Sequence, residues 1–261
     1  MEMYKDKVIK MVDAGQLPRL LYKYRSLSDG SKKYTLDIFR KCELYFSAPQ
    51  NFNDPFDCKL SPIIGSPKKF AEAMAKRQSL NYKKEDVVSS LNANPDLLQK
   101  FKDAVGNVMN KHGICCFSKK NADLLMWSHY ADSHTGICLG FDVKKDPGFF
   151  TFPINVNYQD AYPKIDISEE GKYNEYVNTL MSTKYSEWSY EEEIRIMKKS
   201  NKAYSFEPSA LVSVTFGCKV EDAVIEEVKH VVKTNPNLKH VKFYKAVIDE
   251  TDFKLNILEI D

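Results

Sequence analysis

The chain has 261 residues, enough for one large domain or two small ones and for a substantial buried core. Hydrophobic residues make up 43% and charged residues 28%, both near globular averages, and aromatics reach 12%, so many rings are available for core or pocket walls. With 38 basic against 36 acidic residues the formal charge is +2, too balanced to predict nucleic-acid binding from the field alone, although a local basic groove stays open.

The six cysteines, Cys42, Cys58, Cys115, Cys116, Cys138 and Cys218, form no CxxC pair, and several sit in apolar runs. They read as reduced thiols acting as small hydrophobes, which points to a cytoplasmic protein. Met1 to Leu17 lacks an apolar h-region, and no stretch approaches the ~18 consecutive apolar residues of a membrane span, so no membrane association is expected.

In chain order, residues 4–14 read as an amphipathic helix and 20–25 as an alternating strand. Ser28-Asp29-Gly30 offers a turn and a helix cap before a helix over 32–41. A second strand spans 43–47, and residues 48–57 form a loop stiffened by Pro49 and Pro55. Residues 67–112 are polar with a helical pattern, read as an inserted helical cap. Then follow a buried strand over 113–117, a helix over 121–131 that is apolar nearly all round, and a buried strand over 136–143. A strand over 154–158, a helix over 169–184 and a strand over 194–197 come next. The tail is regular: strand 211–217, helix 221–233, and strands near 241–248 and 252–259. The expected fold is α+β, a single domain over 1–261 with a mixed β-sheet core in 20–66 and 113–259 and a helical insertion at 67–112.

Four segments could carry chemistry. In Tyr22-Lys23-Tyr24-Arg25-Ser26, an arginine at a strand end offers a planar fork to a phosphate or carboxylate, or pairs with a nearby acid for structure. The loop from Ser47 to Asp57 reads as a rigid turn, or as a ligand-binding loop with Asn51, Asn53 and Asp54 for ribose or amide contacts and Phe52 or Phe56 for stacking. In the third segment Ser118 ends a strand, and His129 and Tyr130 point about 100° apart on a helix, so at least one of them is expected in the core. A zinc site from His112, Cys115, Cys116 and Cys138 lacks metal spacing. In the fourth, an extended run would place Glu191, Glu193 and Arg195 on one face, with Ile194 and Ile196 toward the core. Such a cluster is costly unless used or paired, so a functional site and a structural ion network both stay open.

Taken together, these segments resemble the bacterial domain-of-unknown-function family numbered 2971. The resemblance rests on Lys23-Tyr24-Arg25, Phe46-Ser47-Ala48-Pro49, Phe52 to Asp57, Cys116-Phe117-Ser118, Met126 to Ala131, and Trp188 to Glu191 with Glu193 and Arg195. It covers roughly residues 20–255 and implies no activity. A second resemblance is to the ADP-ribosyltransferase superfamily, with Tyr24-Arg25 at the early strand and Glu191-Glu192-Glu193 matching its Glu-x-Glu pattern. It implies a sheet core of that type and NAD as substrate. Arg25 would grip the pyrophosphate, Ser47 or Ser118 would position the nicotinamide ribose or carboxamide, and Glu193 would stabilise oxocarbenium character. Tyr24, Asn51, Asn53, Asp54, His129, Tyr130 and Glu191 would contribute to the cofactor site. The middle motif is open between Ser47 and Ser118, because Cys116 stands where one subgroup has a tyrosine. The resemblance further implies an acceptor, protein or nucleic acid, and a place in toxin or phage-defence biology. Two other readings stand beside it: a non-catalytic binding or sensor domain, and a metal-dependent nuclease using Glu191, Glu193 and Asp54.

Overall fold

The computed structural model describes residues 2–66, 68–69, 96–166, 168 and 173–261. Helix α1 (Glu2–Asp13) leads into β1 (Leu20–Arg25), α2 (Asp29–Lys41), β2 (Glu43–Tyr45) and β3 (Ser61–Ile63). Next come α3 (Asp96–Met109), β4 (Gly113–Ser118), α4 (Leu124–Tyr130) and β5 (Ile137–Asp142). The short strands β6 (Pro153–Asn155), β7 (Asn157–Gln159) and β8 (Lys164–Asp166) precede α5 (Tyr173–Ser182), β9 (Thr183–Tyr185) and β10 (Glu193–Lys198). The chain then forms β11 (Ala203–Ser205), β12 (Leu211–Phe216), α6 (Asp222–Thr234), β13 (Lys242–Ile248) and β14 (Leu255–Ile260).

Eight strands make one mixed sheet in the order β14-β13-β12-β5-β1-β4-β10-β6. Its neighbours are antiparallel except β12 and β13, which are parallel and need the crossover that α6 supplies. Both faces are covered, which is why β5 is buried at every residue and reads as an unbroken apolar run. On one face α1, α2 and α6 bring Val8, Leu36, Phe39, Ile225 and Val228 against Leu21, Phe117, Leu139, Phe141 and Ile194. On the other, α4 packs Met126 and Trp127 with Tyr24, Cys138 and Ala246. Farther along that face, α3 and α5 pack Val105, Met109, Leu180 and Met181 with Ile114. The fold is α+β, as expected, and among the described residues no helix is long and apolar enough to cross a membrane.

The sheet is not evenly closed. β1 pairs with β5 at six successive positions, and β10 pairs with β4 at six. β1 and β4 are joined at a single pair, Tyr22 opposite Ser118. Past that pair the two strands separate, and Lys23, Tyr24 and Arg25 have no strand partner on the β4 side. The Lys23 ammonium fills part of the gap and donates to the Cys116 carbonyl at 3.1 Å, satisfying an acceptor the ladder leaves open.

Several elements differ from expectation. The helix expected over 121–131 and buried nearly all round is the seven-residue α4, with Leu125 and His129 exposed. Asp123 starts it late by accepting from the Leu125 and Met126 N–H groups, and left-handed backbone at Asp132, Ser133 and His134 prevents its continuation. The strand expected over 154–158 is two strands, because β6 pairs with β10 in the main sheet while β7 leaves to pair with β9. Of the helical insertion at 67–112, residues 67 and 70–95 lie outside the described residues, and the described part is α3. Likewise 169–172, the start of the helix expected over 169–184, lie outside them.

Candidate functional site

A cavity of 780 Å³ occupies the split between β1 and β4. Its walls include Lys23, Tyr24 and Arg25 from β1, one face of α2, the loop after Ser47, and Cys116 to Ser118 of β4. His129 and Tyr130 of α4, with Lys184, Glu191 and Glu193, complete it. Eleven residues singled out from the sequence meet at one concave surface: Arg25, Glu193 and Ser47, and Tyr24, Asn51, Asn53, Asp54, Ser118, His129, Tyr130 and Glu191; Arg195 and Phe56 do not line it.

They do not play equal parts. Arg25 is partly buried, and its Nε is sealed from solvent with no hydrogen-bond partner. Among the described residues its guanidinium forms no ion pair, so the structural pairing left open by the sequence is not the one adopted. Burial pushes its pKa down, which is the signature of a cation short of compensation. Asp54 complements it: Oδ1 accepts from the Phe56 N–H at 2.8 Å, while Oδ2 is buried without a partner. Near Arg25, Ser28 occupies the N-cap of α2 but its side chain caps nothing; its hydroxyl is bonded to that of Ser26 instead. Arg25 and Asp54 both line the cavity, but these two atoms are sealed from solvent, so each is an unpaired polar group that is costly where it stands.

The opposite wall is saturated. Arg195, fully buried, grips Asp57 with Nη1 to Oδ1 at 3.0 Å and Nη2 to Oδ2 at 2.6 Å. It also grips Glu193, Nε to Oε1 at 2.9 Å and Nη2 to Oε2 at 3.0 Å, and its last reach goes to the Met181 carbonyl. Lys184 lies 2.5 Å from Glu191 Oε2 and 3.3 Å from Glu193 Oε2. The Tyr130 hydroxyl donates to Glu191 Oε1 at 2.6 Å. Glu191 is not on the strand, contrary to the extended reading. It ends a 3₁₀ turn over Ser186–Glu191, and Glu192 bends through φ 42° before β10 begins. That bend still delivers Glu191 beside Glu193, through their shared lysine.

Three carboxylates against two cations leave this cluster one negative charge in excess, and the two glutamates divide the consequence. Burial pushes Glu193 up, but Arg195 and Lys184 outweigh it and hold the group down at about 2. Burial pushes Glu191 up, and with the like charge of Glu193 beside it the attraction of Lys184 does not restore it. The two neighbouring acids are thus driven apart, Glu193 toward the ionised form and Glu191 toward the protonated one. A divalent metal on these carboxylates would have to displace an ammonium and a guanidinium. Among the described residues no group of three or more His, Cys, Asp or Glu side chains is spaced to hold a metal ion.

The remaining side chains are positioners or rim. Ser118 is buried, donates to the Glu191 carbonyl at 2.7 Å and accepts from the Lys120 N–H, so its hydroxyl is spent on holding the Glu191 turn. The Tyr24 hydroxyl donates to the Lys120 carbonyl, and its ring meets Trp127 edge-on. Ser47 is half-buried, with one weak contact to the Ala48 carbonyl at 3.4 Å, and of the two serines it is the one with a hydroxyl to spare. Asn51 and Asn53 are exposed at the mouth. The expectation that His129 or Tyr130 is core is incorrect: His129 is exposed, 2.8 Å from the Tyr190 hydroxyl, and Tyr130 is half-buried. Both reach the cavity because it wraps the end of a short helix. Phe52 lines the cavity with Arg195 over its ring at 5.5 Å, while Phe56 is exposed and does not line it. The thiols of Cys58 and Cys116 are pushed up by burial and stay protonated, so neither is a nucleophile.

Asp57 and Lys184 went unselected from the sequence. Asp57 lay inside the loop motif, where a pairing partner has no local signal. Lys184 lies in a segment read as the end of a helix, and only the fold of β9 turns it inward.

No curated protein and no solved structure matches the chain. The likeness to ADP-ribosyltransferases therefore rests on the motifs quoted above. The other likeness is borne out: residues 126–196, from α4 through β10, match the model of a family described as protein of unknown function (DUF2971).

Proposed function

We propose that the cavity binds NAD and that the chain catalyses cleavage of its nicotinamide–ribose bond, passing ADP-ribose to an acceptor. The observation that carries this reading is Arg25: a guanidinium partly sunk in the cavity wall with no acid to answer it calls for an anionic ligand. A pyrophosphate meets that need. The volume falls in the range of cofactor sites.

In the reaction the C–N bond to nicotinamide breaks, and its electron pair leaves on the ring nitrogen. The ribose C1′ gains oxocarbenium character and is then attacked by the lone pair of an acceptor nucleophile. Glu193, locked as an anion by Arg195, supplies fixed negative charge near the developing cation. Glu191 takes the proton that the nucleophile gives up, with the Tyr130 hydroxyl aligning its carboxylate.

A second reading is favoured by one observation. Every oxygen of Glu193 is already engaged by Arg195 or Lys184, as a purely structural carboxylate would be. In that case the cavity binds an anion without chemistry. NAD affinity by calorimetry and nicotinamide release, measured on the wild type and on Glu191→Gln, separate the two. Turnover that falls roughly 10²-fold or more in the variant, with NAD still bound, supports the enzyme. Binding without turnover in the wild type leaves the anion-binding domain, and no binding of NAD overturns the proposal.

A further inference from the structure

The main sheet has two edges, and they differ. The β6 edge is three residues long and begins with Pro153, which has no N–H to offer a further strand. The β14 edge is six residues long and pairs with β13 through an unbroken register from Phe243–Ile260 to Ile248–Leu255. It contains no proline, no lysine, no arginine and no bulge, and its one charged side chain, Glu259, is paired with Lys242 of β13 at 2.9 Å. Among the described residues nothing pairs with its outer side. On that strand Leu255 and Ile257 turn toward the Trp127 cluster and Ile260 toward the main core, while Leu258 stands 52% exposed.

We infer that β14 is a self-association surface, on which a second copy of this chain adds its own β14 antiparallel and continues the sheet across a two-fold axis. The sequence of the strand selects a copy of itself. Placing Leu258 opposite Leu258 of the second copy joins the two exposed leucines on one face. It sets Glu259 opposite Ile257 and Asn256 opposite Ile260, so no acid faces an acid. Moving the register by two residues one way opposes Glu259 with Glu259, and the other way strands Leu258 against Asn256. A shift of one residue puts side chains on the wrong faces. The axis lies on the strand itself, so the contact closes at two copies and does not propagate. The inference is independent of what the cavity binds.

Sedimentation equilibrium of the full chain over the micromolar range tests it, with a dimer expected at the upper end. Leu258→Lys, a substitution at an exposed position, should raise the dissociation constant by about 10-fold or more while leaving the melting temperature of the monomer in place. Register is read separately. Leu258→Cys should give a disulfide-linked dimer under a mild oxidant, because opposed Cβ atoms on paired strands lie about 5 Å apart. Phe253→Cys, at the fully exposed hairpin tip, should not. A wild type that stays monomeric, a Leu258→Lys variant that associates as well as the wild type, or cross-linking at Phe253 and not at Leu258 would each overturn the inference.

Discussion

Arg25 lines the cavity and Arg195 is buried behind the Asp57 and Glu193 that line it, and the surroundings of the two guanidiniums are opposite. Arg195 has four short contacts to two carboxylates and one to a carbonyl. Among the described residues Arg25 has no ion-pair partner, and its Nε is sealed from solvent. The first guanidinium is answered by the protein's own chain, whereas the second is answered only if something enters. A buried cation that is already paired marks structure, and one left unpaired at a cavity marks a place for a ligand. The comparison also explains the cavity. The β4–β10 half of the sheet is knitted by the Arg195 network, while β1, attached to β4 at one pair, leaves a gap that among the described residues only the Lys23 side chain partly bridges.

The sharpest way to break the comparison is to remove Arg195. Arg195→Gln strands Asp57 and Glu193 in a buried site with Lys184 as their remaining cation. The expected loss is about 3–5 kcal/mol in denaturant unfolding. A loss under about 1 kcal/mol would mean the network is not holding the sheet.

Glu193 gives the next largest effect, read through pH. Its folded pKa of about 2 lies below the ordinary 4.5, so its contribution is complete above the unfolded value. It is lost as pH falls from there toward about 2. Glu193→Gln should lower stability at neutral pH by a few kcal/mol and flatten the acid side of the stability profile in that window. An unchanged acid limb would remove the assignment of a locked charge. For Arg25 the sign reverses. Arg25→Gln should weaken NAD binding roughly 10- to 100-fold, the value of a charge-assisted contact, and leave the melting temperature equal or raised because an uncompensated buried charge is gone. Lowered stability with unchanged binding would put Arg25 in the same class as Arg195.

Much of this was legible in the sequence where burial leaves a periodic trace. β5 is buried on both faces and reads as an apolar run, and the regular alternation of strand and helix after Leu211 is reproduced in order, with the last strand starting at Leu255 rather than at 252. The candidate residues were legible as motifs, since eleven of them meet at the cavity wall. Their division of labour was not. That Arg195 takes Asp57, that Ser118 is spent on the Glu191 carbonyl, and that Lys184 bridges two glutamates all depend on contacts between distant segments. Nor does local pattern announce the turn at Glu192, where a run of three glutamates leaves the strand it was expected to continue.

Tyr130 offers the smallest effect and the finest test, because it touches the group that lies between the two regions. Glu191 shares Lys184 with the locked network, yet lines the open cavity. It faces Lys184, Glu193, Tyr130 and the nearby Tyr190, and its net shift is upward. The Tyr130 hydroxyl donates to its carboxylate and so favours the ionised form. Tyr130→Phe removes that hydrogen bond and keeps the ring. The Glu191 pKa should rise further, because a hydrogen bond to its ionised form is gone. If Glu191 must be ionised to accept the nucleophile's proton, turnover falls as pH drops through its pKa. The acid limb of the pH–rate profile should then move to higher pH, while the plateau at high pH changes little. Stability should change by about 1 kcal/mol or less. A limb that stays in place would assign Glu191 to the structural network with Arg195 and leave the cavity without its proton carrier.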